Sequence, residues 1–207
     1  RIELNRKETD LYALLNDISN FAVLIAGEKH LEFRLICPPT LPNWLMLDGV
    51  RLSQILWNLI TNAVKFTPKG SVTLSIEQMA EDEFAIRVTD TGIGIAEDDL
   101  EKVFELYYQV DSHHYKSLGS GIGLSISKTI AQLMDGDLTV SSELGKGATF
   151  LLTFKAKEAQ PPVESSNKVP LKLCILLVED IEVNIVVAKS MLQKLGYQID
   201  VAMTGAE

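Results

Sequence analysis

The chain has 207 residues, with 28 acidic against 19 basic side chains, a formal net charge of −9, 46% hydrophobic and 23% charged residues. These values are those of an ordinary globular sequence, and the acidic excess argues against a nucleic-acid or anionic-membrane surface, because phosphate binding requires clustered Lys and Arg. The longest apolar stretch, near Cys174–Val178, falls far short of the ~20 residues that a bilayer demands. No signal peptide opens the sequence and residue 1 is Arg, so a piece of a longer protein is expected. Cys37 and Cys174 sit in the apolar runs LICPP and LCILLV; two isolated cysteines make neither a disulfide framework nor a zinc site, and both are expected to be reduced core residues.

Taken in order, Leu11, Leu14, Leu15, Ile18, Ala22 and Ile25 follow helical spacing behind a cap at Asp10. Residues 31–37 read as a strand stopped by Pro38-Pro39. A second amphipathic stripe, Leu52, Ile55, Leu56, Leu59, Ile60 and Ala63, begins near Asp48 and closes at Pro68. Residues 71–77 and 84–89 read as strands around the charged turn Ala80-Glu81-Asp82. The run DDLEKVFELYYQ is expected to form a short helix, followed by the polar VDSHHYKSLGS, a candidate lid. A helix over 122–134 and strands over 137–142 and 148–154, the last two around the turn LGKG, complete an α+β, two-layer sandwich. The polar, proline-bearing KAKEAQPPVESSNKVP reads as a linker. The expected division is a domain over 1–157, a linker over 158–170 and a short segment over 171–207.

Three motifs carry chemistry. Asn58, Asn62 and Lys65 in QILWNLITNAVKFT share one helix face. Amide oxygens coordinate hard Mg²⁺ and an ammonium neutralises phosphate; a solvated polar face is the plainer alternative. In Asp90-Thr91-Gly92-Ile93-Gly94, a strand-end carboxylate can accept from an amine such as adenine N6 while glycines admit close approach; a simple turn is the alternative. In Gly119-Ser120-Gly121-Ile122-Gly123-Leu124, bare amides at a helix start form an anion site. It lacks the ending of a Walker loop and the βαβ context of a dinucleotide fold. His113 and His114 are adjacent and cannot face one metal as an i, i+4 pair would; with His30 they read as surface residues.

In this order the motifs resemble the boxes of the histidine-kinase ATP-binding domain of the gyrase/Hsp90/kinase/MutL superfamily. NLITNAVKFT is similar to the N box, DTGIGI to the G1 box, VFELYY to the F box and GSGIGL to the G2 box, over about residues 1–157. The resemblance implies a Bergerat-type sandwich holding ATP between helices and lid. It implies Mg²⁺ on Asn62, assistance from Asn58, phosphate contact by Lys65 and adenine near Phe66. Asp90 would read the adenine amine, with Gly92 and Gly94 giving close approach. Gly119, Gly121, Gly123 and Leu124 would wrap the phosphates, Tyr108 would lie at the lid, and Thr149 on a strand lining the base pocket. Many relatives carry Arg after the F-box aromatics, where this chain has Gln109; Lys116 is the substitute cation. The catalytic set is then Asn58, Asn62 and Lys65.

Superfamily ATPases resemble one another in placing a Glu four residues before the Mg-binding Asn. Asn58 stands there, and a neutral amide cannot take up a proton. The resemblance therefore implies a kinase that delivers its γ-phosphate to a histidine on a separate helical-hairpin dimerisation domain; a superfamily ATPase and a non-catalytic nucleotide-binding scaffold are the rivals. The tail resembles the start of a flavodoxin-like receiver domain: a strand ending in Glu179-Asp180, a helix over 181–195 and a strand over 197–202. Paired carboxylates there can hold Mg²⁺, an exposed acidic turn being the alternative. Its third strand and phosphoacceptor Asp are absent, so the tail is expected to be weakly ordered or packed on a neighbour. A kinase domain joined to a receiver is a hybrid sensor kinase. The implied partners are its own hairpin, receiver and His-phosphotransfer domains and a response regulator, with no nucleic acid. The implied place is the cytoplasmic portion of an inner-membrane protein, with no direct membrane contact by this stretch.

Overall fold

The computed structural model describes residues 3–109, 121–162, 174–178 and 198–202. The chain separates into two compact units, 1–162 and 163–207.

The first unit is built from eight strands and three helices among the described residues. Strand β1 (Lys7–Asp10) leads into α1 (Leu11–Glu28), then β2 (Glu32–Ile36), β3 (Trp44–Leu47) and α2 (Gly49–Phe66). Next come β4 (Ser71–Ala80), β5 (Glu83–Asp90), α3 (Gly123–Leu133), β6 (Leu138–Glu143), β7 (Gly147–Lys155) and β8 (Lys157–Glu158). Both long helices start where the sequence offers a carboxylate cap. Asp10 accepts from the Ala13 amide at 2.9 Å and Asp48 from the Arg51 amide at 3.0 Å. The second Asp48 oxygen accepts from the Asn5 amide at 2.8 Å, so one side chain holds both a helix start and the incoming chain.

Five strands form a mixed sheet in the order β2-β4-β5-β7-β6, with β2 and β4 parallel and the remaining neighbours antiparallel. Alternate residues turn Val72, Leu74, Ile86, Val88, Leu152 and Phe154 toward the helices. Leu15, Ile18, Leu56, Leu59, Ile60 and Ile130 meet them in one core. Phe84 and Phe154 stack with centroids 5.5 Å apart. Phe21 faces Trp57 and Lys29 reaches the end of α2, so α1 and α2 run side by side in the same direction. The α+β two-layer reading thus holds.

Some expectations are corrected. DDLEKVFELYYQ forms two single 3₁₀ turns, Glu97–Asp99 and Lys102–Phe104, rather than an α-helix. Four carboxylates crowd residues 97–101, Glu105 is extended, and Tyr107 is left-handed at φ 65°; a second turn cannot propagate. Three short strands, β1, β3 and β8, make a second sheet in the order β1-β3-β8. The last of these lies inside the polar run read as linker. Ala156 is buried and its amide donates to Asp82 O at 2.9 Å, while the Ala159 amide donates to Trp44 O at 2.9 Å. Composition alone cannot register such main-chain bonds. Cys37 is a free, half-buried cysteine packed against the core.

In the second unit, β9 (Cys174–Val178) and β10 (Gln198–Ala202) pair in parallel, Cys174 opposite Gln198 through Val178 opposite Ala202. A parallel pair needs a crossover of a dozen residues or more, which 179–197 can supply. Glu179, Asp180 and the helix expected over 181–195 lie outside the described residues.

Candidate functional site

Three separately encoded stretches meet at the carboxyl end of α2. On its polar side, Asn58 Nδ2 donates to Ser127 Oγ on α3 at 3.0 Å, and Asn62 Nδ2 points to Asn58 Oδ1 at 3.5 Å. Gly123 opens α3 so closely against Asn58 that a Cβ there would overlap the amide. This contact brings the amide-bearing helix and the glycine-opened helix together. At the end of α2, the Ile93 amide donates to Phe66 O at 3.2 Å, which ties on the Asp-Gly loop. Lys65 Nζ lies 4.6 Å from the Phe66 ring centre, within range of a cation–π contact. Burial, and then the nearby Lys29 ammonium, lower the Lys65 pKa from its usual value.

Asp90 ends β5 and is only 6% exposed. Its Oδ1 accepts from the Gly92 amide at 2.8 Å. Burial raises its pKa, partly offset by hydrogen bonding with the Gly92 and Ala148 main chain and the Thr67 side chain. A buried carboxylate held this way is an acceptor suited to one amine, since desolvation strengthens whatever hydrogen bond it makes.

The glycines have distinct causes. Gly121, at φ 69°, abuts the Tyr107 main chain, and the Tyr107 amide donates to Gly121 O at 2.9 Å. That bond closes the neck of the segment between the F-box and G2-box residues. Gly92 has no room for a Cβ against Phe66 O and Asp90. Gly94, at φ 70°, faces the Glu143 main chain. Packing of the β6–β7 hairpin onto the loop leaves no room for a side chain there. The same hairpin is fastened by Gly145 N to Ile93 O at 2.7 Å and Ile95 N to Ser142 Oγ at 2.8 Å.

Thr149 requires a correction. It pairs with Thr89 across β5 and β7, with the two hydroxyls 3.1 Å apart. Both stand one residue out of step with Asp90 and Ala148, and strand alternation puts them on the sheet face away from the helices. Ala148 is the β7 residue beside Asp90. Leu124 packs half-buried against the core. The Tyr108 hydroxyl donates to Asp99 Oδ1 at 2.6 Å, and Gln109 is exposed. Lys116 and Gly119, with His113 and His114, lie outside the described residues; His30 is an exposed turn residue at φ 58°.

Three residues were missed in the sequence. Thr67, fully buried beside Asp90, gives its hydroxyl to Ala63 O at 2.6 Å. Ser127 is buried against Asn58. Lys29 Nζ donates to Val64 O and Lys65 O, both at 2.9 Å, and closes the last turn of α2. Thr67 is the last residue of the N-box stretch and Ser127 stands four residues after Gly123; those positions were the available signals.

Side-chain oxygens, an ammonium and a glycine-opened helix start on one side, with a buried carboxylate on the other, match a phosphate–cation group joined to an amine-bearing ring. The donor set fits Mg²⁺ in that the Asn62 amide can supply a hard oxygen.

Residues 47–158 match the family model described as histidine kinase-, DNA gyrase B- and HSP90-like ATPase. The chain is 47% identical over 211 residues to the aerobic respiration control sensor protein ArcB of Escherichia coli strain K12, covering 99% of this chain and 27% of that protein. It is 36% identical over 220 residues to the autoinducer 2 sensor kinase/phosphatase LuxQ of Vibrio vulnificus strain YJ016, covering 100% of this chain and 26% of that one. The chain thus spans about a quarter of the length of these curated relatives. Full-length ShkA, crystallised in complex with AMPPNP, superposes with a TM-score of 0.69 at 29% identity, over 99% of this chain and 42% of that one. With the helix, loop and glycine boxes meeting at one place and the family model spanning that same stretch, the chain belongs to the histidine kinase-, DNA gyrase B- and HSP90-like ATPases.

Proposed function

We propose that residues 1–162 bind Mg-ATP and present its γ-phosphate to a histidine on a separate helical-hairpin domain, as the catalytic part of a hybrid sensor kinase. The observation that carries this reading is Asn58. It stands on α2 one turn before Asn62, with its amide engaged by Ser127. A carboxamide accepts no proton at neutral pH, so position 58 cannot activate water, and general-base help of ~10²–10⁴-fold is withheld from hydrolysis. Bound ATP is thereby kept for a nucleophile that brings its own lone pair.

In this reading Asn62 holds Mg²⁺, which would spread charge on the terminal phosphates as they transfer. Asn58 and Lys65 line the phosphate side, and the α3 start with Gly121 and Gly123 offers main-chain donors. Asp90 and Thr67 hold the adenine amine, with Phe66 beside it. Gly119 and Lys116 belong to the same proposal at the lid, with Lys116 meeting the charge for which relatives use Arg at the position of Gln109. Glu179 and Asp180 would hold Mg²⁺ in a complete receiver. Among the described residues no helix is long and apolar enough to cross a membrane, in keeping with a cytoplasm-facing portion of a membrane sensor whose partners are its hairpin, receiver and His-phosphotransfer domains and a response regulator.

The test mixes this chain with the hairpin domain of its own protein and γ-labelled ATP. Acid-labile label on the hairpin, lost with Asn62→Ala, is expected. Steady phosphate release without labelled hairpin would instead establish an ATPase, and nucleotide binding with neither outcome a scaffold.

A further inference from the structure

We propose that Ser127 is a positioning residue that holds the Asn58 amide, and through it the Asn62 amide, in place for the metal; this rests on the Mg-ATP reading of the site. Gly123 and Ser127 lie four residues apart and so share one face of α3. Asn58 enters that face as a side chain seated in a notch. Where α3 has Gly123, the amide fits only because no Cβ is present, and one turn further along it meets the Ser127 hydroxyl. Ser127 is 2% exposed, a polar group deep in an otherwise apolar helix contact. Burying a hydroxyl without a partner costs roughly 1–3 kcal/mol, and the Asn58 amide is the partner it has.

The consequence runs along three side chains. Asn58 Nδ2 donates to Ser127 Oγ at 3.0 Å, while Asn58 Oδ1 lies against Gly123, between α3 and the next turn of α2. There it faces Asn62 Nδ2 at 3.5 Å. With its nitrogen directed inward, Asn62 presents its oxygen at the outer end. An amide presented the other way round would offer Mg²⁺ an N–H₂ group, which cannot coordinate it. The relay thus holds the amide ligand in place before the ion arrives, the supporting task that partners of metal ligands perform.

The test uses this chain with AMPPNP, titrated by calorimetry with and without Mg²⁺, alongside nuclear magnetic resonance of the side-chain amides without nucleotide. Ser127→Ala removes the hydroxyl with little change of volume, and the core methyl spectrum checks that it folds. The expected result is a loss of Mg-AMPPNP affinity of about tenfold, the lower end of what supporting partners of metal ligands contribute. Mg-free affinity should be unchanged, and the Asn58 amide protons should move toward free-amide shifts. In an Asn58→Ala background, Ser127→Ala should have no further effect. Equal Mg-AMPPNP affinity in wild type and Ser127→Ala, an equal loss with and without Mg²⁺, or additivity with Asn58→Ala would each overturn the role of Ser127. Failure of the wild type to bind Mg-AMPPNP would instead overturn the nucleotide reading, and the proposal with it.

Discussion

Lys29 Nζ and the main-chain oxygen of Lys65 lie 2.9 Å apart, across the junction of α1 and α2. The same ammonium takes Val64 O at 2.9 Å. The last carbonyls of a helix have no partner within it and carry the negative end of its dipole, so a lysine from the neighbouring helix stabilises this turn twice over. Lys29→Met is expected to lower stability by about 1 kcal/mol, with Lys29→Arg restoring most of it, as read from chemical denaturation. Nucleotide affinity should fall in the Met variant, because Lys65, Phe66 and Thr67 all leave from that turn.

Asp90 is expected to make stability and nucleotide binding pull in opposite directions with pH. Burial raises its carboxyl pKa above the usual value, so the folded unit holds this proton more firmly than the unfolded chain does. Its contribution is therefore fully favourable below the ordinary carboxylate pKa, and is lost as pH rises through the raised folded pKa. Asp90→Asn removes that dependence. The difference in unfolding free energy between Asp90→Asn and wild type should grow in favour of the variant from acid to neutral pH. ADP affinity, compared between the same two proteins, should show the reverse: a wild-type advantage at neutral pH that shrinks as the carboxylate protonates. A parallel pair of pH profiles would dismiss the role of Asp90 as an ionised acceptor.

Gly121 at φ 69° faces the Tyr107 backbone. Gly121→Ala adds left-handed strain of roughly 1–2 kcal/mol and a methyl against main chain that cannot rotate aside. The bond from the Tyr107 amide to Gly121 O should open, and hydrogen exchange of that amide should accelerate at least tenfold. Protection of core amides in β5 and β7 should stay as it is.

Lys128 on α3 ties that helix to the 3₁₀ turn at Phe104 and to the start of β6. Its Nζ lies 4.5 Å from the Phe104 ring centre, 3.6 Å from Asp137 Oδ1 and 3.2 Å from Leu138 O. Phe104 in turn meets Phe150 edge-on at 6.4 Å. Asp137 Oδ1 is itself shielded from solvent and makes no hydrogen bond, which leaves the Lys128 charge as its compensation. Lys128→Met should cost about 1 kcal/mol. A double-mutant cycle with Asp137→Asn should show coupling of about 0.5 kcal/mol or more; strict additivity would separate the two.

The helices were the most legible elements. The stripe from Leu52 to Ala63 behind Asp48 states both the period and the start of α2, and Asp10 does the same for α1. The meeting of the boxes was legible only through their order, since nothing local in GSGIGL says that Gly123 must press on Asn58. The strands β1 and β8, four and two residues long, carry no apolar side chain and so leave no alternation to read; main-chain bonds hold them. The face occupied by Thr149 was readable. Ala148, Phe150, Leu152 and Phe154 mark the buried side by alternation, and Thr149 falls between them. Ser127 was hidden for the opposite reason: on an apolar helix face a lone serine resembles a tolerated small residue until its partner on another helix is known.

The sheet made by β1, β3 and β8 has a mechanical consequence. The strand that introduces the helices and the strand that leaves the five-stranded sheet are hydrogen-bonded to opposite edges of β3, so they stand only about 10 Å apart, two strand spacings. Tension between the polypeptide entering β1 and the polypeptide leaving β8 is carried across that narrow ribbon and bypasses the nucleotide pocket. A pull on the chain at the two ends of this ribbon thus loads β1, β3 and β8 ahead of the five-stranded sheet.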